Sequence, residues 1–312
     1  MMAMPPLKDA AKIWLYRAMG LNPATARWLD HYLTRRMYRR VFGREPDLAN
    51  PILFSEKITA RKLFERRPIF TTINDKLLVR DFVAERIGPQ YLTRLYVTGE
   101  RFEDIDFDSL PDAFVIKANH GCRWLTIVED KSTFDRDKAR RQAQGWLRDS
   151  YYLYSRERMY KDIKRRLLVE EYLRETSGDP ATDYKLFVYD GVVHFLRVSK
   201  RLAGGRRNAG FFDPAGNVIP AVGRSLSKSH QGGPPPAGAK PVEFPANFPQ
   251  LAKVASDLAR GFDFMRVDLY CPGGRILFGE MTPLPTGGVI ALEPPEYDRI
   301  FGAPWKLSLN GA

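Results

Sequence analysis

Cysteine and histidine are scarce: the 312-residue chain holds two of the first and four of the second. Cys122 and Cys271 are too few for a disulfide framework or a Cys/His metal cluster, so a reducing cytoplasm is the expected compartment. No apolar run reaches the roughly 20 residues of a membrane helix. The first residues lack the long apolar stretch of a secretory signal. No nucleic-acid-binding motif is present, no internal repeat is visible, and no Ser, Cys or His is arranged as an activated nucleophile. What remains is a globular composition, 44% hydrophobic and 12% aromatic, with length for two or three compact units.

The net charge is +12 and uneven. Residues 1–67 carry fourteen basic and six acidic side chains, two thirds of the excess. Such a patch attracts an anionic partner, an anionic membrane face or an acidic substrate, or else is a solvated helix surface. Apolar spacing predicts helices over 7–45, with Arg35, Arg36, Arg39 and Arg40 gathered on one side. Further helices are predicted from Ser55 to Phe64, from Lys76 to Ile87 behind a cap at Asn74 or Asp75, over Lys138–Lys164 and over Leu251–Gly261. Strands are expected at Tyr91–Val97, Phe114–Ala118, Trp124–Val128 and Leu167–Leu173. A hairpin is expected over 184–199 around Asp190-Gly191. Residues 225–250, rich in Pro, Gly and Ser, read as a long mobile loop.

The most informative stretch is Met265–Thr282, two alternating runs around Pro272-Gly273-Gly274. With that turn as the loop, Arg266 faces Glu280, Val267 faces Gly279 and Cys271 faces Arg275. Val267, Leu269 and Leu277 then share a core face, while Arg266, Asp268, Tyr270, Phe278, Glu280 and Thr282 share the other. Two carboxylates and an arginine on one face suit a divalent cation and a phosphate. A solvated face with a cross-strand Arg–Glu pair is the plainer reading.

Other positions carry the same double meaning. Lys117 ends an apolar strand before Asn119-His120-Gly121-Cys122-Arg123, so it can place a point charge on a phosphate that the loop amides wrap, or simply enter a hairpin turn. His120 is either a turn residue or a phosphate contact. Leu168–Leu173 offers a strand edge and a glutamate to a purine, or is a core strand with exposed glutamates. Asp183 and Lys185 share a strand face and form either a surface ion pair or a cation near the phosphates.

The order of these signals resembles the ATP-grasp superfamily of ATP-dependent ligases. The wording Phe114–Gly121, Asp183–Gly191, Arg266–Tyr270 and Phe278–Gly288 is similar to its TupA-like branch, which is linked to capsule and cell-wall polymer synthesis. The resemblance spans about Phe54 to Gly288 and implies an α+β fold in which two α+β subdomains clasp ATP. The division expected is a mostly helical basic region at 1–110, a small subdomain at 111–175 and a large one at 176–312. Carried over residue by residue, Lys76 and Lys117 match lysines on the ATP phosphates. Asn119, His120 and Gly121 match the mobile loop. Glu170, Glu171, Tyr172 and Leu173 match the adenine side, and Asp183 belongs to the same cofactor set. Lys185 and Arg266 match basic groups beside the acceptor and the transferred phosphoryl group. Asp268, Glu280 and Thr282 match the magnesium ligands. Two departures stand out: Thr282 replaces the asparagine of many superfamily members, and Cys122-Arg123 replaces small loop residues.

The resemblance implies a carboxylate–amine ligase that uses ATP and Mg2+ through an acyl phosphate, in cell-surface polysaccharide or peptide-polymer biosynthesis. The expected partners are ATP, a carboxylate and an amine, among them an anionic polysaccharide or peptide, with no nucleic acid. The basic N-terminal region adds a peripheral contact at the inner membrane face. A kinase of a sugar or polymer hydroxyl, a glycosyltransferase-type enzyme and a non-catalytic binding module remain the alternatives.

Overall fold

The structure, a computed structural model, describes residues 23–201, 207–225 and 241–309. Of the helices expected over 7–45, residues 7–22, with Lys8, Lys12 and Arg17, lie outside the described residues, as do 226–240 of the expected loop.

The described residues open with helix α1 (Pro23–Phe42) and, after the Asn50-Pro51 break, α2 (Phe54–Phe64). The Glu56 carboxylate accepts from the Ile52 and Leu53 amides at 3.2 and 3.1 Å and so fixes the entry to α2. The helix expected over Lys76–Ile87 is two helices, α3 (Ile69–Asn74) and α4 (Leu78–Ile87). Asp75 separates them, its carboxylate accepting from the Leu77 amide at 2.9 Å. Strand β1 (Leu95–Gly99) starts later than the expected Tyr91, because Pro89–Tyr91 takes a tight helical turn.

β1 joins β2 (Phe114–Ala118), β3 (Leu125–Val128) and β4 (Leu167–Glu171) in an antiparallel sheet of order β1-β4-β2-β3. Helix α5 (Arg136–Arg148) buries Ala139 and Ala143 in the cluster that holds Phe107, Phe114, Ile116 and Val169. The long helix expected over Lys138–Lys164 is therefore broken. Asp149 ends α5, α6 (Tyr151–Ser155) is one short turn, and Arg156 turns the chain at φ +58°.

The second sheet has six strands in the order β11-β10-β5-β6-β7-β8: β5 (Asp183–Tyr189), β6 (Val192–Arg201), β7 (Arg207–Phe212), β8 (Val218–Ile219), β10 (Phe264–Tyr270) and β11 (Leu277–Thr282). Asp190-Gly191 turns with φ of +46° and +80°, the left-handed pair that a two-residue hairpin needs. Helix α7 (Phe248–Ala259) starts before the expected Leu251 and buries Leu251, Ala255 and Leu258 on the sheet. Strands β9 (Val222–Ser225) and β12 (Ile290–Glu293) pair separately, and α8 (Glu296–Gly302) follows.

α2 and α8 clamp the large unit. Asp298 on α8 accepts from the Ser55 amide at 2.8 Å and from its hydroxyl at 2.5 Å. Arg61 on α2 is fully buried. It donates to the Phe264 carbonyl at 2.9 Å and to the Asp263 carboxylate, and its guanidinium lies 4.5 Å from the Trp305 ring. A helix residue thus holds the start of β10, the strand that carries Asp268.

The β10–β11 register differs from the expectation. Arg266 lies opposite Thr282, Val267 opposite Met281 and Asp268 opposite Glu280. A bulge at Gly279 then places Leu269 opposite Phe278 and Tyr270 opposite Leu277. A Cβ at Gly279 would meet the Tyr270 ring at 2.8 Å and the Asp268 carbonyl at 3.0 Å, so the bulge requires glycine. The two-residue slip keeps Arg266, Asp268, Glu280 and Thr282 on one face, whereas the bulge removes Phe278 from it and packs it with the main core.

Candidate functional site

The two sheets face each other across a cavity of about 520 Å³, a size that suits a small ligand. Val115, Leu125, Ile127, Phe278 and Met281 give it apolar walls. Lys76, Arg80, Lys117, Arg123 and Arg201 supply cations, and Asp183, Glu170, Glu171 and Glu280 supply acids. Tyr172 and Leu173, just past the end of β4, line the same space.

On the small-sheet side the cations are held by their own neighbours. Lys117 pairs with Glu170, whose other oxygen accepts from Thr93 at 3.3 Å and lies 3.9 Å from Arg80. Lys76 reaches from the segment between α3 and α4 to the Gly121 carbonyl, so helix and loop are joined at the cavity. Glu171 turns outward to Arg275 at 3.1 Å, and the Tyr172 hydroxyl donates to Glu129 at 3.1 Å.

On the hairpin side, Asp268 is buried and receives Arg266 through two hydrogen bonds of 2.6 and 2.8 Å. Lys185 on β5, opposite Asp268, bridges it to Asp183 with 2.6 Å on each side. Burial raises the Asp268 carboxyl, but Arg266 and Lys185 outweigh that effect and hold it below the ordinary value. The same Arg266 guanidinium donates to the Thr282 hydroxyl at 3.0 Å and lies 3.5 Å from Glu280. Glu280 is the more open acid, its side chain 37% exposed toward the cavity. Asp183 has one buried carboxylate oxygen with no donor, an acceptor free for a ligand or cation. No cluster of three His, Cys, Asp or Glu suited to a metal occurs among the described residues. Asp268, Glu280 and the Thr282 hydroxyl are nevertheless all hard oxygen donors, the type that magnesium takes.

The loop after β2 differs from its expected use. Asn119 is fully buried and acts as a brace. Its amide donates to Asp75 and to the Lys164 carbonyl, both at 2.9 Å, and its oxygen accepts from the Arg166 amide at 2.8 Å. His120 is equally buried, with one ring nitrogen 3.0 Å from the Trp146 carbonyl and the ring edge-on to Trp124. Burial pushes its value down to about 4, so it is neutral. Neither side chain lines the cavity. Gly121 is required by packing, since a Cβ there would stand 2.4 Å from the Trp124 ring. The loop residue that does face the cavity is Arg123, at φ +62°.

Sequence reasoning missed Arg80 and Thr93. Arg80 lies four residues after Lys76, a spacing that brings side chains together on a helix and was the available signal. Thr93 sits in an irregular segment and gives none.

Residues 56–306 match the family model described as TupA-like ATPgrasp, so the chain belongs to that family. Among solved structures it is similar to an ATP complex of D-alanine–D-alanine ligase from Bacillus anthracis, at 13% identity and TM-score 0.41, covering 73% of this chain and 57% of that one. It is similar also to the D-cycloserine synthetase DcsG, at 14% and 0.40, covering 76% and 70%. A third likeness, at 11% and 0.40, is to the ATP-grasp ligase PsnB complexed with a precursor variant, Mg and ADP, covering 77% and 61%. The chain thus spans less than two thirds of the first and third of these proteins. No curated protein matches it.

Proposed function

We propose that this protein is an ATP-dependent carboxylate–amine ligase acting through an acyl phosphate. The observation that carries the reading is the hairpin: Asp268 and Glu280 stand opposite each other beside Arg266, and Glu280 borders a cavity whose far wall carries Lys76, Lys117 and Arg80. Phosphoryl transfer asks a protein for positioning and charge neutralisation rather than a nucleophile. In this reading the apolar walls and the strand end at Glu171–Leu173 take the adenine. Lys76, Lys117, Arg80 and Arg123 take the phosphates, and Lys117 exchanges Glu170 for a phosphate oxygen. Magnesium would be held by Asp268 and Glu280 with Thr282, and when bound it supplies charge neutralisation at the phosphates.

The substrate carboxylate oxygen attacks the γ-phosphorus, and the bond to the β-bridging oxygen breaks to release ADP. Arg266 and Lys185 flank that centre and offset the charge that develops there. The amine nitrogen then attacks the acyl carbon and the carbon–oxygen bond to phosphate breaks. The products are an amide, ADP and phosphate, with the amine proton passing to solvent. We assign the acceptor to an anionic class, such as a uronic-acid polymer or an acidic peptide of the cell surface. The basic Arg201 at the cavity and Arg197 and Lys200 on the same strand support that assignment. No helix among the described residues is long and apolar enough to cross a membrane.

The test is incubation with ATP, magnesium and candidate acid–amine pairs, following ADP and free phosphate. A ligase releases both in step with amide. A hydroxyl kinase releases ADP without phosphate and leaves a phosphorylated acceptor. Retention of full activity by both Asp268→Asn and Glu280→Gln would falsify the assignment.

A further inference from the structure

From the outward face of α1 we infer that this helix docks on an anionic lipid bilayer. The inference stands apart from the ligase reading, because nothing on this face touches the cavity. α1 turns Ala26, Leu29, Asp30, Thr34 and Tyr38 into the protein. Asp30, its one acid, is consumed there by the Tyr152 hydroxyl at 2.8 Å and by Arg156 and Arg158 at 3.6 and 3.7 Å. The opposite side carries Trp28 and Tyr32, 58% and 43% exposed and stacked with parallel rings 5.3 Å apart. Continuing at the same four-residue step come Arg36 and Arg40, so aromatics and arginines form one contiguous row that winds gradually around the helix. Arg35 and Arg39 flank that line and share Glu45 at 3.5 and 3.1 Å, whereas no ion pair among the described residues engages Arg36 or Arg40.

Charge and shape select the occupant. Four arginines against one exposed acid, Glu45, make a cationic surface that complements an anionic one. Exposed Trp and Tyr are the side chains that settle at the headgroup level of a bilayer, and arginine pairs with phosphate in two-pronged fashion. From Trp28 to Arg40 the strip runs about 18 Å along the helix, and its long exposed side chains project from a convex face, which meets an open surface rather than a groove. An acidic polysaccharide would also meet the arginines. Sugar hydroxyls, however, need acceptor and donor side chains; the helix itself turns no Asp, Glu, Asn or Gln outward, and the one acid beside it, Glu45, is taken up by Arg35 and Arg39.

The test is sedimentation of the full chain with vesicles of phosphatidylcholine alone or of equimolar phosphatidylcholine and phosphatidylglycerol. The wild type should pellet with the anionic vesicles only, and added salt should release it. Arg36→Glu/Arg40→Glu should weaken binding about 25-fold or more, since each basic group near such a surface contributes about fivefold. Trp28→Ser/Tyr32→Ser should weaken it less. Both variants replace exposed residues, and circular dichroism checks their folding. Lys253→Glu/Arg260→Glu, exposed on α7 and just past its end, makes the same charge change elsewhere and should leave binding near wild type. Failure to pellet, equal loss in the α7 control, or retention by an acidic polysaccharide through Arg36 and Arg40 without vesicle binding would each overturn the inference.

Discussion

Two arginine–aspartate pairs hold β10, one through Asp263 just before the strand and one through Asp268 five positions on within it, and they do different things. In the first, Arg61 and Asp263 are closed in by Trp305 and Phe264, and the Asp263 carboxylate is completed by the Trp305 indole and the Ser308 amide, both at 2.9 Å. In the second, Arg266 and Asp268 are as well paired, yet their neighbours are Lys185, Glu280 and Thr282, and the cavity lies beyond. The pairing chemistry is the same. What distinguishes a fastening from a candidate site is the company: aromatic rings in one case, further acids and open space in the other.

The comparison can be broken in several ways. Arg61→Met leaves Asp263 buried without its main partner. It should cost about 3–5 kcal/mol of stability in urea unfolding, the cost of breaking a buried pair. A loss below about 1 kcal/mol would demote that node to an ordinary contact. Asp268→Asn should change stability less than this but lower ATP turnover by about 100-fold or more, as removal of a preorganised charge does. Steady-state ADP release checks it, and equal losses of stability in the two variants would erase the distinction drawn between the pairs.

Two buried titrating groups near the cavity sharpen the contrast through pH. His120, lowered by burial from 6.5 to about 4, is neutral in the native state. Its unfolded form binds the extra proton between those values, so stability falls as pH drops from 6.5 toward 4. Glu157 is raised by burial from 4.5 to about 7 despite Lys62. Its native form binds the extra proton, so stability rises as pH drops from 7 toward 4.5. The wild type should therefore show a shallow net dependence. Glu157→Gln should expose the loss on acidification and His120→Asn the gain, each by about 2–3 kcal/mol. Denaturant midpoints across this window decide it, and parallel curves for both variants would contradict the opposed signs. The smallest effect is expected at the exposed Arg275–Glu171 pair, where Arg275→Ala should shift stability by less than about 1 kcal/mol in the same assay.

Much of this was legible in the sequence, and the limits have physical causes. Alternation and turn residues mark β2, β4, the β5–β6 hairpin and β10, because strand faces and left-handed turns write themselves into local sequence. Lys117, Glu280 and the β4 end are legible from strand pattern and spacing, and Lys76 from the family resemblance; all line the cavity. The bulge at Gly279 was missed because it depends on how closely the Tyr270 ring and the Asp268 carbonyl approach across the hairpin. Asn119 and His120 read as loop residues, whereas their partners, Asp75, Lys164, Arg166 and Trp146, lie between 26 and 47 positions away. The break of the long helix falls where Asp149 turns extended and Arg156 takes a left-handed conformation, backbone changes that apolar spacing does not register.

The central claim is tested most directly by calorimetric titration of ATP into the wild type and the Asp268→Asn/Glu280→Gln variant, each with and without magnesium. The account predicts that magnesium tightens ATP binding to the wild type and that the variant loses this dependence while still binding nucleotide through Lys76, Lys117 and the apolar walls. A variant that keeps the full magnesium-dependent gain would contradict it.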